Sequence, residues 1–161
     1  ATVEARTAAV LDPLGSPVAG AWVRLGGPGT TWEPAGPRGE LLLHGTSGSR
    51  RRLQALHPDW GSWDDEVLID PKLEPARLRL GGEGSGRSRW PAALERVGIT
   101  SIIDRAGRVV SEVSPDSAAA RAGLQRRDLL LWLDEKPSGL RLTVWRGNAP
   151  VYVDLVAESA R

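Results

Sequence analysis

The chain has 161 residues, 40% of them apolar and 25% charged, proportions that belong to a folded protein and exclude wholesale disorder. Its 21 basic and 20 acidic side chains nearly cancel, which excludes the electrostatic footprint of a nucleic-acid binder. No run approaches the ~20 apolar residues that span a bilayer, and the absence of Cys excludes a disulfide framework or a thiolate metal site.

The length admits two domains of roughly 80 residues each. The absence of Met, with Ala1 in first place, implies a processed or trimmed chain. In chain order, Val3–Leu11 is the first predicted strand, and Leu14-Gly15-Ser16-Pro17 turns it. Residues 19–25 alternate next, with Ala21, Val23 and Leu25 on one face and Trp22 and Arg24 on the other. Gly26-Gly27-Pro28-Gly29 reads as a hairpin or loop, because Pro28 removes an amide that a phosphate cradle needs. Arg50-Arg51-Arg52 reads as a solvated loop, and residues 40–43, 52–56, 66–69 and 76–80 as further strands. Trp60 and Trp63 flank Gly61-Ser62 in an expected loop, and Asp59, Asp64, Asp65, Glu66 and Asp70 gather around it. Short strands punctuated by Gly and Pro predict a β-sandwich over residues 1–82.

Gly81-Gly82-Glu83-Gly84-Ser85-Gly86-Arg87-Ser88 supports neither helix nor strand, so a linker is expected over residues 83–89 and a second domain over 90–161. There Trp90, Ala93, Leu94 and Val97 share one helical face, with Pro91 suited to the first turn. Residues 99–103 and 108–113 read as strands joined by Asp104-Arg105-Ala106-Gly107, and 116–122 as an Ala-rich helix stopped at Gly123. Residues 129–133, 140–145 and 151–155 are the last strands. The fold class expected is mainly β: an immunoglobulin-like β-sandwich, then a partly open β-barrel with one or two short helices.

Two stretches carry resemblances. Residues 10–25, with Pro17, Gly20 and Ala21 at their turn, resemble the opening of carboxypeptidase regulatory-like domains, and Arg38-Gly39-Glu40-Leu41-Leu42-Leu43 is similar to that family's second signature. The resemblance implies a transthyretin-like or immunoglobulin-like spacer or adhesion module, without peptidase activity. Val110-Ser111-Glu112-Val113-Ser114-Pro115-Asp116-Ser117-Ala118-Ala119-Ala120-Arg121-Ala122-Gly123-Leu124 resembles the bacterial PDZ signature more strongly. Asp128-Leu129-Leu130-Leu131-Trp132-Leu133 and Leu142-Thr143-Val144-Trp145-Arg146-Gly147 resemble its later strands. That family binds peptide C-termini or extended segments by strand addition. The resemblance therefore implies a peptide-binding set of Arg96, Val97 and Gly98 in the carboxylate loop, with Ile99, Thr100, Ser101 and Ile102 on the strand.

Arg127 departs from the family's Gly, and Asp134-Glu135 from its Asn-Gly turn. More consequentially, the family places a helix of about three turns where this chain has Asp134-Glu135-Lys136-Pro137-Ser138-Gly139. At 1.5 Å per residue and with a costly nucleus, that segment cannot form it, so one groove wall is expected to be missing. Residues 90–97 are expected to fold over the open side instead.

No catalytic chemistry stands out. His44 and His57 lack the spacing of metal ligands, the acidic group fits no calcium loop, and no Ser occupies a nucleophile elbow. We therefore expect no enzyme, no metal and no cofactor. Seven Trp and no Phe make Trp22, Trp60 and Trp63 candidate surface contacts for sugars or a protein, Trp22 otherwise covering its own strand pair or the second domain. The function expected is a non-catalytic bacterial scaffold or adaptor that binds a protein or peptide segment, extracytoplasmic (periplasmic or extracellular) by family resemblance. The alternatives are a self-assembly module that binds no peptide, an accessory region of a protease or secretion system, and a carbohydrate-binding sandwich.

Overall fold

Strand alternation places apolar side chains on one face of each segment, and burying those faces dictates the architecture. A computed structural model describes residues 3–26, 30–81, 89–104 and 107–156. The chain divides into two compact units, Ala1–Gly84 and Ser85–Arg161, and is mainly β, with three sheets among the described residues and none closed. The expected Gly27-Pro28-Gly29 loop, the Gly/Ser segment 82–88 and the Arg105-Ala106 turn lie outside the described residues.

The first unit holds β1 (Val3–Leu11), β2 (Trp22–Leu25), β3 (Glu33–Pro34), β4 (Glu40–Thr46), β5 (Arg50–His57), β6 (Gly61–Leu68) and β7 (Ala76–Arg79). They form two sheets, ordered β4-β1-β7 and β3-β2-β5-β6. Strand β1 runs antiparallel to β4 and parallel to β7, bringing the first and last strands side by side. The core draws Val10, Leu43 and Leu78 from one sheet and Val23, Leu53 and Val67 from the other. Burying each such side chain contributes about 1.5–3 kcal/mol, which makes Leu53→Ala costly by about 2–5 kcal/mol. Gly39 sits at φ 72°, where a Cβ would lie 2.6 Å from the Val10 carbonyl and 2.9 Å from that of Val18. Only glycine lets the backbone cross there, which explains a Gly immediately before β4.

Three segments read as loops are strands. Arg50, Arg51 and Arg52 open β5, where Arg51 donates to the His44 carbonyl (2.7 Å) and Arg52 forks onto Asp64 (2.8 and 3.2 Å). Asp64 and Asp65 lie on β6 ahead of Glu66, the first residue of the strand expected over 66–69, and pair with β5 through Gln54↔Asp64, Leu53↔Asp65 and Arg52↔Glu66. Gly61, Ser62 and Trp63 also belong to β6. A paired charged strand shows no apolar alternation, so nothing in its composition separates it from a loop.

The second unit begins with helix α1 (Trp90–Arg96), then β8 (Ile99–Asp104), β9 (Gly107–Val113), α2 (Ala118–Arg121), β10 (Leu129–Lys136), β11 (Gly139–Arg146) and β12 (Ala149–Val156). The strands make one sheet ordered β12-β11-β10-β9-β8. Register places Leu130, Leu133, Leu142, Val144, Val153 and Leu155 on one face, all buried, and Trp132 with Thr143 on the other. Helix α2 is shorter than expected. Asp116 adopts φ 59° and Ser117 is extended, so the helix starts at Ala118, with the Ser117 hydroxyl accepting from the Ala120 amide at 3.1 Å.

Strand β10 ends at Lys136 and β11 begins at Gly139, leaving Pro137-Ser138 as the whole connection. The groove-wall helix is absent, replaced by a tight hairpin. Asp134 and Glu135, read as a turn, extend β10, and the buried Asp134 carboxylate accepts the Trp132 indole N–H at 3.0 Å. On the same face the hydrogen-bonded Arg141 guanidinium holds the Asp154 carboxyl below its ordinary range.

Candidate functional site: the β8 edge

Strand β8 lies at the end of its sheet and pairs only with β9 among the described residues. Its start is fixed by the junction with α1. Val97 and Gly98 donate their amides to the Leu94 and Glu95 carbonyls, both at 3.1 Å, closing the helix. Their carbonyls accept from Ala119 (3.1 Å) and Ser114 (2.8 Å), which stitches this loop to the N-terminus of α2. Gly98 takes φ 91°, and a Cβ there would collide with the Ser117 side chain. Its lack of a side chain serves the packing of α2.

The seven residues implied by resemblance are adjacent, but they divide sharply by exposure. Arg96 is exposed at the end of α1, whereas Val97 (5%) and Ile99 (1%) point into the core. Thr100 is exposed, Ser101 half-buried and Ile102 58% exposed. A bulge between Thr100 and Ser101 kinks the strand, and the Arg108 guanidinium donates to the Ser101 hydroxyl at 3.1 Å. Ile103, which the sequence reading left out of the site, is 79% exposed. Two adjacent isoleucines at a sheet edge were the available signal.

A carboxylate nest needs free amides aimed at one point. The Val97 and Gly98 amides are already bonded within α1, so a chain terminus would have to displace helix-closing bonds to use them. What remains accessible is the backbone edge of β8 with the exposed Thr100, Ile102 and Ile103 side chains. An edge of this kind pairs with another extended chain unless something covers it.

Helix α1 packs against β8, as expected of residues 90–97, and leaves Ile102 and Ile103 exposed. Trp90 is 6% exposed and meets Trp132 of β10 edge to face, ring centroids 5.9 Å apart and planes at 81°. Its ring therefore reaches a strand two places inward from β8.

The candidate surface tryptophans separate in the same way. Trp63 packs against the sandwich core, Trp22 is half-buried opposite Leu56, and Trp60 in the β5–β6 turn is 39% exposed. Trp22 does face away from the core, as alternation requires. Its neighbour Arg24 on that face is 1% exposed, donating to the Gln54 side chain with its guanidinium 4.6 Å from the centre of the Trp32 ring. Alternation assigns a face and carries no signal of such burial.

No family model matches this chain, and no solved structure matches it. Among curated proteins it is similar to serine endoprotease DegS of Escherichia coli, from strain K12 and from O157:H7, each 38% identical over 72 residues. The match covers 44% of this chain and 19% of the protease, so it spans about a fifth of the length of these relatives.

Proposed function

We propose that this chain is a non-catalytic protein-interaction module of a bacterial extracytoplasmic assembly. Its PDZ-like second unit takes an extended partner segment by strand addition to β8, and its carboxypeptidase regulatory-like first unit serves as a spacer. The observation that carries this reading is the edge of β8, with Ile102 and Ile103 exposed and no strand beyond it among the described residues. The 72-residue likeness to serine endoprotease DegS supports it, being about the length of one unit. The amide bonding of Val97 and Gly98 favours an internal segment over a chain terminus.

The test is a backbone-amide NMR titration with matched peptides bearing free or amidated C-termini. The expected result is saturable shifts along Ile99–Asp104 of equal affinity for both forms. Binding that requires the free carboxylate would overturn the internal-segment reading. Silence from the folded unit, with a mass that grows with concentration, would transfer the function to self-assembly through the same edge.

A further inference from the structure

We propose that the outer face of β1 and β7 is a binding site for a small hydroxylated oxyanion, a sugar acid or sugar phosphate. Strand β7 alternates strictly: Ala76 and Leu78 enter the core, while Arg77 and Arg79 stand exposed on the opposite side. Two positions along one strand separate their Cα atoms by roughly 6.5 Å. Parallel pairing sets Ala9 beside Arg77 and Leu11 beside Arg79. These residues line a cleft of about 550 Å³ together with Gly15, Pro17, Glu74 and Pro75. That volume lies within the range of small-ligand sites.

The two guanidinium groups are uncommitted. Among the described residues neither Arg77 nor Arg79 has a hydrogen bond or an ion pair. Within that same set, several other strand arginines are spent, Arg6 on the Leu68 and Glu74 carbonyls, Arg52 on Asp64 and Arg141 on Asp154, although Arg50 on β5 is not. Gly15 in the turn after β1 takes φ 93°, and a Cβ there would lie 3.4 Å from Arg79 Nη2. That turn is itself held rigid by the Asp12 carboxylate, which accepts the Leu14 and Ser16 amides at 2.9 and 3.0 Å.

Two guanidinium forks at this spacing match the oxygens of a phosphate or carboxylate, which they bind through paired charge-assisted hydrogen bonds. Glu74 sets the second requirement. It lines the same cleft, and its carboxylate accepts hydrogen bonds and repels a further anionic group, so the ligand must present hydroxyls there. The apolar lining from Ala9, Leu11, Pro17 and Pro75 suits the C–H surface of a small ring. Glu40, on the same face one strand beyond Ala9, turns its carboxylate onto the Arg38 amide at 2.7 Å and away from the cleft.

The experiment is an NMR titration of the whole chain with glucose 6-phosphate, glucuronate and neutral glucose. Saturable shifts are expected at the amides of residues 9, 11, 15, 77 and 79 with one or both charged sugars, at a dissociation constant on the order of 1 mM. Preference between the two assigns the anion as phosphate or carboxylate. The Arg77→Gln/Arg79→Gln variant should weaken binding at least about tenfold, and raised salt should weaken it too. An Arg126→Gln/Arg127→Gln control, losing the same charge elsewhere, should not. Shifts that fail to saturate, that survive in the Arg77/Arg79 variant, or that fall equally in the control would overturn the site. Neutral glucose binding as tightly as the charged sugars would overturn the oxyanion assignment.

Discussion

Gly98→Ala isolates the packing role of the loop before β8. A Cβ at this position would strike Cβ and Oγ of Ser117 and approach Ser114 to 3.4 Å. Ser117 cannot retreat, because its hydroxyl donates to the Ser114 carbonyl at 2.7 Å and accepts from the Ala120 amide at 3.1 Å. Forcing Ala to φ 91° costs about 1–2 kcal/mol, and overpacking adds about 1–3 kcal/mol. The sum, about 2–5 kcal/mol, is a large fraction of the stability of a unit held by roughly 0.05–0.15 kcal/mol per residue. Urea unfolding followed through second-unit amide signals reads the cost. Ser117→Gly supplies the discriminating background, since Gly at a helix N-cap costs only a few tenths of a kcal/mol relative to Ser. There Gly98→Ala should fall to the backbone part of about 1–2 kcal/mol, leaving a coupling of about 1–3 kcal/mol between the sites. A cost in the wild-type background below about 1 kcal/mol, or one unchanged by Ser117→Gly, would refute the steric account.

Trp90→Ala removes a buried ring from its edge-to-face contact with Trp132 and should destabilise the second unit by about 3–5 kcal/mol, read by urea unfolding. If the variant keeps its urea midpoint, α1 is not docked on β10. Arg127→Gly should stabilise this unit by about 0.5–1 kcal/mol, because Arg127 sits at φ 75° while its amide bond to Val110 (2.8 Å) survives the change. A rise in thermal midpoint checks this, and a fall would show that the exposed side chain contributes more than the backbone strain costs. In the first unit, burial lowers the His57 pKa from 6.5 against the opposing pull of the Asp59 carboxylate, and the ring's Nδ1 accepts the Asp59 amide at 3.0 Å. The folded state therefore disfavours the imidazolium, so its stability is full above pH 6.5 and declines as pH falls below that value. Urea midpoints between about pH 7.5 and 5.5 should drop in the wild type more than in His57→Gln; equal slopes would exclude the histidine as the cause.

Legibility in the sequence followed the apolar pattern. Residues 19–25 announced β2 because Ala21, Val23 and Leu25 alternate with Trp22 and Arg24, and residues 90–97 announced α1 because Trp90, Ala93, Leu94 and Val97 share a face. Where charge fills both faces the signal disappears. Arg50, Arg51, Asp64 and Asp65 resemble loop composition, yet they lie on the paired strands β5 and β6, where Arg52 stands opposite Glu66 and forks onto Asp64. Asp134 is the same case in smaller form: a carboxylate in a β-turn position by composition, drawn into β10 by the indole of Trp132. The start of α2 was misplaced because Asp116 tolerates the left-handed region and leaves the capping to Ser117. The loop Arg96 to Gly98 was found by resemblance, but the commitment of its amides is a matter of geometry. No residue-type pattern separates a glycine that admits a ligand from one that admits a neighbouring serine.

If the second unit takes an extended partner as proposed, the absence of a helix between β10 and β11 sets what it can recognise. A groove between a helix and a strand reads side chains on one wall while the other supplies backbone bonds. Here Pro137-Ser138 joins β10 directly to β11, and α1, although it packs against β8, leaves Ile102 and Ile103 exposed, so no wall covers that part of the edge. Recognition at this edge must then rest on backbone pairing, which tolerates almost any extended sequence, plus contacts to Thr100, Ile102 and Ile103. Backbone pairing without side-chain pockets gives weak discrimination between ligands. Selectivity would have to come from elsewhere on the partner or from high local concentration. Such an edge suits a partner held nearby in the same assembly better than a peptide searched for in solution. Linking a β8-binding peptide to the chain through a flexible Gly/Ser tether should therefore strengthen its apparent binding by roughly the effective concentration, in the mM range. Equal affinity for the tethered and free peptide would show instead that the edge is selective on its own.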